Sequence, residues 1–390
     1  MTTKRHLVLI IAILFAAACV TPGPPATTAT TAGIDETALL SGDAIFSEAI
    51  DTSHIRDPGL FDVDDDMRAF IAEHVDDARA SRERLRQLLA GMTQTGLMSL
   101  DYNDATTKTA RQTFHDRVGN CISFTSLFVA LAREAGLEAS FQTVEVPPIW
   151  YSDSDLVILN NHVNALVKHN FGLGNRRRTV VDFNVTELKG DYDTGEVSDE
   201  YALALYYNNM AMDALRADNR EKSFRLLKKS IETYPDIAAN WANLGVIYSR
   251  SDLDHHAIAA HLKALDLDKN HRPSMTNLAS LYQRTGDPET AETYRRQIRR
   301  YQDQNPYFHY SHALAAYGSG DLESASERLA RAMDLKDSEH KFYRLQGLIA
   351  AQQGDTELAL QSIKKAHNLA VYSDARRIYE NKIQLLTSRQ

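Results

Sequence analysis

Three residues in the middle of this 390-residue chain are of the types that perform nucleophilic catalysis: Cys121, His162 and Asp182. Cys121 follows Gly119-Asn120 and opens the run CISFTSLFVALAREAG, in which Ile122, Leu127, Phe128, Leu131 and Ala135 fall at helical spacing and Gly136 closes the helix. A thiol at a helix N-terminus faces the positive end of the helix dipole, which favours the thiolate, and the free N–H groups there can receive an oxyanion. To act as a nucleophile it needs a base and a group that orients the base. His162, in NNHVNALV, and Asp182, in VVDFN, lie on two runs that alternate or are β-branched, separated by the turn signal NFGLGNR, which is the pattern of a hairpin. Paired strands can set an imidazole beside a carboxylate. The expected roles are attack by Cys121, proton transfer by His162 and fixing of its tautomer by Asp182. Taken singly, a packed core thiol and a satisfied core histidine are the plainer readings; the ordered set carries the chemistry.

The elements that must position these residues are helices first and strands second. From Asp64 to Ala90, the residues Met67, Phe70, Ile71, His74, Val75, Ala78, Leu85, Leu88 and Leu89 have helical spacing, with Gly91 and Gly96 as interruptions. Thr106 to His115 reads as a further helix and the Cys121 segment as the next. After Gly136 the texture turns to β with EASFQTVEV, then to the two runs that hold His162 and Asp182.

From about Ala204 the chain is purely helical and repeats every thirty-four residues. Small residues recur in register: Ser223, Ala257, Ala291, Ala325 and Ala359; Ala211, Gly245, Ala279, Ala313 and Gly347; Ser230, Ala264, Ala332 and Ala366, with Ile298 between them. Gly-Asp turns fall at Gly286-Asp287, Gly320-Asp321 and Gly354-Asp355. The copy WANLGVIYSRSDLDHHAIAAHLKALDLD follows the tetratricopeptide pattern, so the segment resembles a tetratricopeptide (TPR) solenoid, a binding surface by default. Asn209, Asn243 and Asn277 recur on three first helices, each followed by an arginine, Arg216, Arg250 and Arg284, on nearly the same face. By that resemblance the face lines the concave groove. There an Asn ladder can bond an extended peptide backbone and an Arg row can hold carboxylates; helix-end charge complementarity is the alternative for the arginines.

The N-terminus carries Lys4-Arg5, the apolar run Leu7 to Ala18, and Ala16-Ala17-Ala18 immediately before Cys19. That apolar run is too short to span a bilayer and reads as an export signal. It resembles a bacterial lipoprotein signal, which implies lipid attachment at Cys19; Ala16 stands where that signal usually has Leu. Val20 rather than Asp implies the periplasmic side of the outer membrane. VTPGPPATTATTAG then reads as a flexible tether. With Cys19 modified, Cys121 is the one thiol left in an oxidising compartment, without a partner for an internal disulfide.

The order GNCISFTSLFVALAREAGLEA, NHVNALV, VVDFN resembles the transglutaminase-like superfamily, of papain-type fold. Gly119 and Cys121 match its first motif, Arg133, Gly136 and Ala139 the end of that motif, His162 the second and Asp182 the third. Asn164 and Leu166 stand where the family often has an aromatic residue and an acid. The resemblance implies a Cys121-His162-Asp182 catalytic set acting through an acyl-enzyme without a cofactor. Gln112 and His115 are the candidates for the side chain that completes the oxyanion hole.

The expected fold is an α+β transglutaminase-like domain followed by an all-α TPR solenoid. Its segments are a signal peptide at 1–18, a tether at 19–35, an N-terminal extension at 36–66, the transglutaminase-like domain at 67–195, five repeats at 204–373 and a capping helix at 374–390. The expected function is that of an exported lipoprotein with a thiol peptidase or amidase domain and a protein-binding or peptide-binding solenoid. A crosslinking acyltransferase and a catalytically inactive scaffold stay open as alternatives.

A formal net charge of -9 argues against nucleic acid as the partner, since phosphate recognition needs a basic face. No metal is expected. Asp62, Asp64, Asp66 and Glu73 approach calcium-loop spacing, but Met67 replaces the turn glycine, and an acid-rich helix N-terminus accounts for them. FGLGNRRR reads as a hairpin tip with solvated arginines, and His255, His256 and His261 as surface residues of a repeat helix.

Overall fold

The computed structural model describes residues 34–144, 149–150, 157–158, 162–170, 176–183, 194–370 and 373–387. Cys19, the signal segment and the tip of the His162–Asp182 hairpin lie outside them.

The described residues begin with two short helices, α1 (Glu36–Ser41) and α2 (Asp43–Phe46), then α3 (Asp65–His74) and α4 (Ser81–Gln94). Asp64 caps α3 through its side chain, which accepts from the Met67 N–H, so the acid cluster marks a helix start. The helical pattern expected as one run from Asp64 to Ala90 breaks at Val75–Ala80, and α4 continues through Gly91 instead of stopping there. Gly91 is needed for contact: a Cβ would fall 2.8 Å from the His74 side chain packed on it. Strand β1 (Asp101–Tyr102) follows, then α5 (Ala110–Asp116), β2 (Val118–Gly119) and α6 (Cys121–Glu134). Helix α5 starts four residues later than the sequence suggests, because Thr109 forms a capping box with Gln112.

Helix α6 is the centre of the first domain. Every residue from Ile122 to Ala132 is buried, so its apolar character extends all round rather than along one stripe. It packs against α3, α5 and a four-stranded antiparallel sheet in the order β7-β6-β3-β8, made of β3 (Glu138–Val144), β6 (His162–Asn170), β7 (Arg176–Val181) and β8 (Thr194–Val197). The short strands β4 (Ile149–Trp150) and β5 (Val157–Ile158) pair separately. Gly136 (φ 69°) ends α6 in the left-handed conformation, and the Leu137 N–H closes on the Ala132 carbonyl at 2.9 Å. This is the α+β architecture expected, followed by a helical solenoid.

The solenoid runs as the helix pairs α7 (Asp199–Arg216) with α8 (Arg220–Thr233), α9 (Ala238–Ser249) with α10 (Asp254–Leu267), α11 (Arg272–Arg284) with α12 (Pro288–Gln304), α13 (Pro306–Ser319) with α14 (Leu322–Leu335), and α15 (His340–Gln353) with α16 (Thr356–Leu369). Helix α17 (Ser373–Thr387) packs on α16. The small-residue columns are where paired helices touch. Gly245 on α9 lies against the ring of His261 on α10, and Gly347 against Ile363. His261, expected at the surface, is fully buried, and burial lowers its pKa to about 3, so the ring is a neutral packing group. A Cβ at Gly245 would meet that ring at 2.7 Å with no flexible group to yield. Gly245→Ala is therefore expected to destabilise the solenoid by about 1–3 kcal/mol, read as a lower thermal midpoint.

The N-terminal extension is not a free leader to the first domain. Leu39 and Ile50 are buried in the solenoid core with Phe224 and Tyr248, the Tyr248 hydroxyl donates to the Leu39 carbonyl at 2.8 Å, and Lys228 donates to the Ile50 carbonyl at 2.6 Å. The same segment then reaches the first domain, where the Leu60 carbonyl accepts from the Ala110 N–H. Among the described residues no helix is long and apolar enough to cross a membrane.

Candidate active site

The local sequence around Cys121 builds its position step by step. Strand β2 ends at Gly119, where a Cβ would fall 2.6 Å from the Ser123 side chain, so only glycine lets the chain turn this closely into α6. Asn120 caps the helix: its Oδ1 accepts from the Ser123 N–H at 3.2 Å. Cys121 is the first helical residue and is a free, half-buried thiol. One turn on, the Thr125 hydroxyl donates to the Val163 carbonyl at 3.2 Å, tying α6 to strand β6 next to His162.

Strand register places the other two groups. Ala165 faces Val181 across β6 and β7, so one step further Asp182 comes opposite Asn164, on the same face as His162. The His162 Nε2 bonds both Asp182 oxygens, at 2.8 and 2.7 Å. Cys121 is near enough for its interaction with the imidazole to be among the influences that raise the ring's pKa. Asn164 donates to Asp182 Oδ2 at 3.1 Å, so the residue that replaces the family's usual aromatic helps hold the carboxylate. The structure thus brings Cys121, His162 and Asp182 together.

His162 is 4% exposed. Burial alone would disfavour its charge, but the bonds to Asp182 and the influence of Cys121 outweigh burial and raise its pKa to about 9. At neutral pH the ring is an imidazolium held by the Asp182 carboxylate.

The two residues proposed for the oxyanion hole are engaged elsewhere. The Gln112 side chain completes the α5 capping box by accepting from the Thr109 N–H at 3.0 Å, and His115 Nε2 bonds Asp64 Oδ2 at 2.8 Å. Tyr102 is another residue that the fold brings near Cys121. Strand β1 pairs in parallel with β2, Tyr102 opposite Gly119, which brings Tyr102 into the neighbourhood of Cys121. Packing around the hydroxyl, then the neighbouring Cys121 and Asp104, raises the phenol pKa well above its ordinary value, so it stays protonated. The sequence holds little to reveal Tyr102: β1 is two residues long and has no periodicity. Phe124, Phe128 and Phe183 line the same region, with Tyr102–Phe124 at 6.1 Å, Phe124–Phe183 at 5.8 Å and Phe128–Phe183 at 6.2 Å between ring centroids.

The acids at the start of α3 meet His115, with Asp64, Asp66 and His115 close enough to share an ion. Asp64 already uses one oxygen on the Met67 N–H and the other on His115.

On the solenoid, Asn209, Asn243 and Asn277 are half-buried, and Asn243 donates to Asn208 at 2.8 Å. Arg216, Arg250 and Arg284 are exposed; Arg216 pairs with Asp213, and Arg284 with Asp254 and the Ser249 hydroxyl. Two of the three arginines are thus matched to acids of the chain itself.

Comparison with known proteins follows this division. The family model described as transglutaminase-like superfamily matches residues 68–163, and a tetratricopeptide repeat model matches 274–307. The first match contains Cys121 and His162 and ends before Asp182. No curated protein matches the chain. Among solved structures, MamA (residues 41 to the end) from Desulfovibrio magneticus RS-1 is 20% identical, covers 44% of this chain and 96% of its own, and has a TM-score of 0.25. YrrB, titled a TPR protein with an unusual peptide-binding site, is 16% identical over 46% of this chain and 92% of its own, with a TM-score of 0.25. A tetratricopeptide repeat protein from Parabacteroides merdae is 16% identical over 47% and 71%, with the same TM-score. The chain carries a transglutaminase-like domain and tetratricopeptide repeats.

Proposed function

We propose that the first domain is a thiol hydrolase of the peptidase or amidase class, joined to a solenoid that binds protein or peptide. The observation that carries this reading is the His162 ring, bonded through Nε2 to Asp182 and close enough to Cys121, at the first position of α6, for that residue to help raise its pKa. In the reaction the Cys121 sulfur bonds to the amide carbonyl carbon while the carbonyl electron pair moves onto oxygen. The Cys121 backbone N–H and the protonated Tyr102 hydroxyl are the donors proposed for that oxygen. Collapse breaks the C–N bond, and the His162 imidazolium gives its proton to the leaving amine, leaving a thioester on Cys121. Water then releases the acid; an amine in its place would give a crosslink.

The test is 4-nitrophenyl acetate followed by mass spectrometry of the Cys121 peptide. One acetyl group on Cys121, lost with time in water, supports the hydrolase. Loss that needs an added amine turns the reading to acyl transfer. Absence of acetylation supports the inactive scaffold.

The chain is further proposed to be exported and lipid-anchored at Cys19, facing the periplasm from the outer membrane, on the strength of the residue pattern before that cysteine. Cys19→Ser is expected to move the protein from the membrane fraction to the soluble fraction after cell lysis. Unchanged partition would remove the anchor.

A further inference from the structure

Asn164 is a polar residue in a place suited to apolar ones. It lies on β6, an inner strand of the sheet, opposite Gln142 of β3, and its strand neighbours Val163, Ala165, Leu166 and Val167 are all buried. Asn164 itself is 4% exposed. Such a strand favours β-branched and aromatic side chains, and an amide has little to gain there from packing. Among the described residues its one side-chain hydrogen bond runs from Nδ2 to Asp182 Oδ2, at 3.1 Å. The partner fixes which way the amide faces: a carboxylate beside an imidazolium only accepts, so the NH2 group points to it and Oδ1 points away. That Oδ1 is buried without a hydrogen-bond partner. A buried unpaired carbonyl weakens a fold, and an apolar side chain of similar size would not. Neither packing nor strand preference accounts for the amide; the bond to Asp182 does. Asp182 follows the last ladder pair of β7, Val181 with Ala165, so strand pairing does not set its carboxylate, which is 25% exposed. Its Oδ2 takes both the Asn164 amide and, at 2.7 Å, the His162 Nε2.

We infer that Asn164 is a positioning residue: its amide holds the Asp182 carboxylate in the orientation that offers both oxygens to His162 Nε2, and the fold is less stable for keeping it. Asn164 touches no reacting atom and acts only through Asp182. Its effect on Cys121 rests on the hydrolase reading above, whereas its effect on the His162–Asp182 pair stands on the bonds themselves.

The test follows the His162 Nε2 proton by NMR in the full-length protein carrying isotope-labelled histidine, well below pH of about 9, where the ring is protonated, together with the thermal midpoint. His162→Ala identifies the signal by its loss. In wild type the proton held by two carboxylate oxygens gives a downfield signal that survives exchange with water. Asn164→Leu is expected to lose that signal to exchange while its thermal midpoint equals or exceeds that of wild type, because the unpaired oxygen goes with the amide. Asn164→Asp keeps the shape and sets a second carboxyl beside Asp182, which raises its pKa. Protonated at low pH, the new group donates to Asp182 and keeps the signal; ionised at higher pH, it repels Asp182 and the signal disappears. An unchanged signal in Asn164→Leu overturns the inference. So does a signal lost together with a lowered midpoint in Asn164→Leu when Asn164→Asp matches wild type at every pH, which would make Asn164 a shape-filling residue. Iodoacetamide alkylation of Cys121 tests the hydrolase reading separately. Asn164→Leu should slow it about three- to tenfold, less than the ~10²-fold that a misplacement of about 1 Å can cost. Alkylation indifferent to both Asn164→Leu and His162→Ala would remove the nucleophile and leave Asn164 as the residue that positions Asp182.

Discussion

Replacing His162 by alanine is expected to lower the proposed acylation of Cys121 by an amide about 10²- to 10⁴-fold, the range for loss of a positioned general acid-base. The size follows from the geometry. The imidazole bonds the orienting carboxylate and is the base proposed for the thiol, so its removal would delete the base, the acid and the use of Asp182 together. The pH dependence has a definite sign. The imidazolium must give its proton to the leaving amine, and its pKa is raised to about 9, so amide turnover should fall as pH rises through about 9. With 4-nitrophenyl acetate, whose leaving group needs no proton, that alkaline fall should be absent. Stability follows the same group: a histidine whose pKa is raised on folding stabilises the fold fully below about 6.5, its ordinary value, and loses that contribution as pH climbs through about 9. The thermal midpoint should decline across that window in wild type and decline less in His162→Ala.

The second large effect is on folding. Phe128→Ala is expected to cost about 3–5 kcal/mol, the usual range for emptying a buried phenylalanine site, and is read by denaturant unfolding. Phe128 is fully buried at the centre of α6, where helix, sheet and the Phe183 ring meet. Phe183 directly follows Asp182, so a cavity there also loosens the carboxylate that orients His162. In conditions where Phe128→Ala remains folded, Cys121 alkylation should be slower than in wild type. A variant as stable as wild type would show that α6 is not the keystone of this core.

How much of this was legible in the sequence differs between elements. Helix α6 could be read to its ends because Asn120 and Gly136 are local signals whose cap and left-handed turn need no distant partner. The His162–Asp182 hairpin was legible because strand alternation fixes which residues share a face. The helix pairs announced themselves through small residues where helices touch, as Gly245 does against His261. Contacts made by long-range packing escaped. His261 looked like a surface residue because its helix neighbours His255 and His256 are polar, while its own side faces α9. Gly91 looked like a helix breaker because the His74 ring that fills the space beside it comes from another helix. Gln112 and His115 were near Cys121 in the chain, yet capping and the Asp64 pair claim them, and Tyr102 comes near Cys121 through a two-residue strand that no pattern marks.

The measurement that meets the central claim most directly is the pH profile of Cys121 alkylation by iodoacetamide, wild type against His162→Ala. Rapid labelling of wild type at neutral pH is expected, with a large loss of that labelling in the variant while its fold stays intact by circular dichroism. Slow labelling that is the same in both proteins would contradict it, leaving Cys121 a packing residue and the search for function with the solenoid.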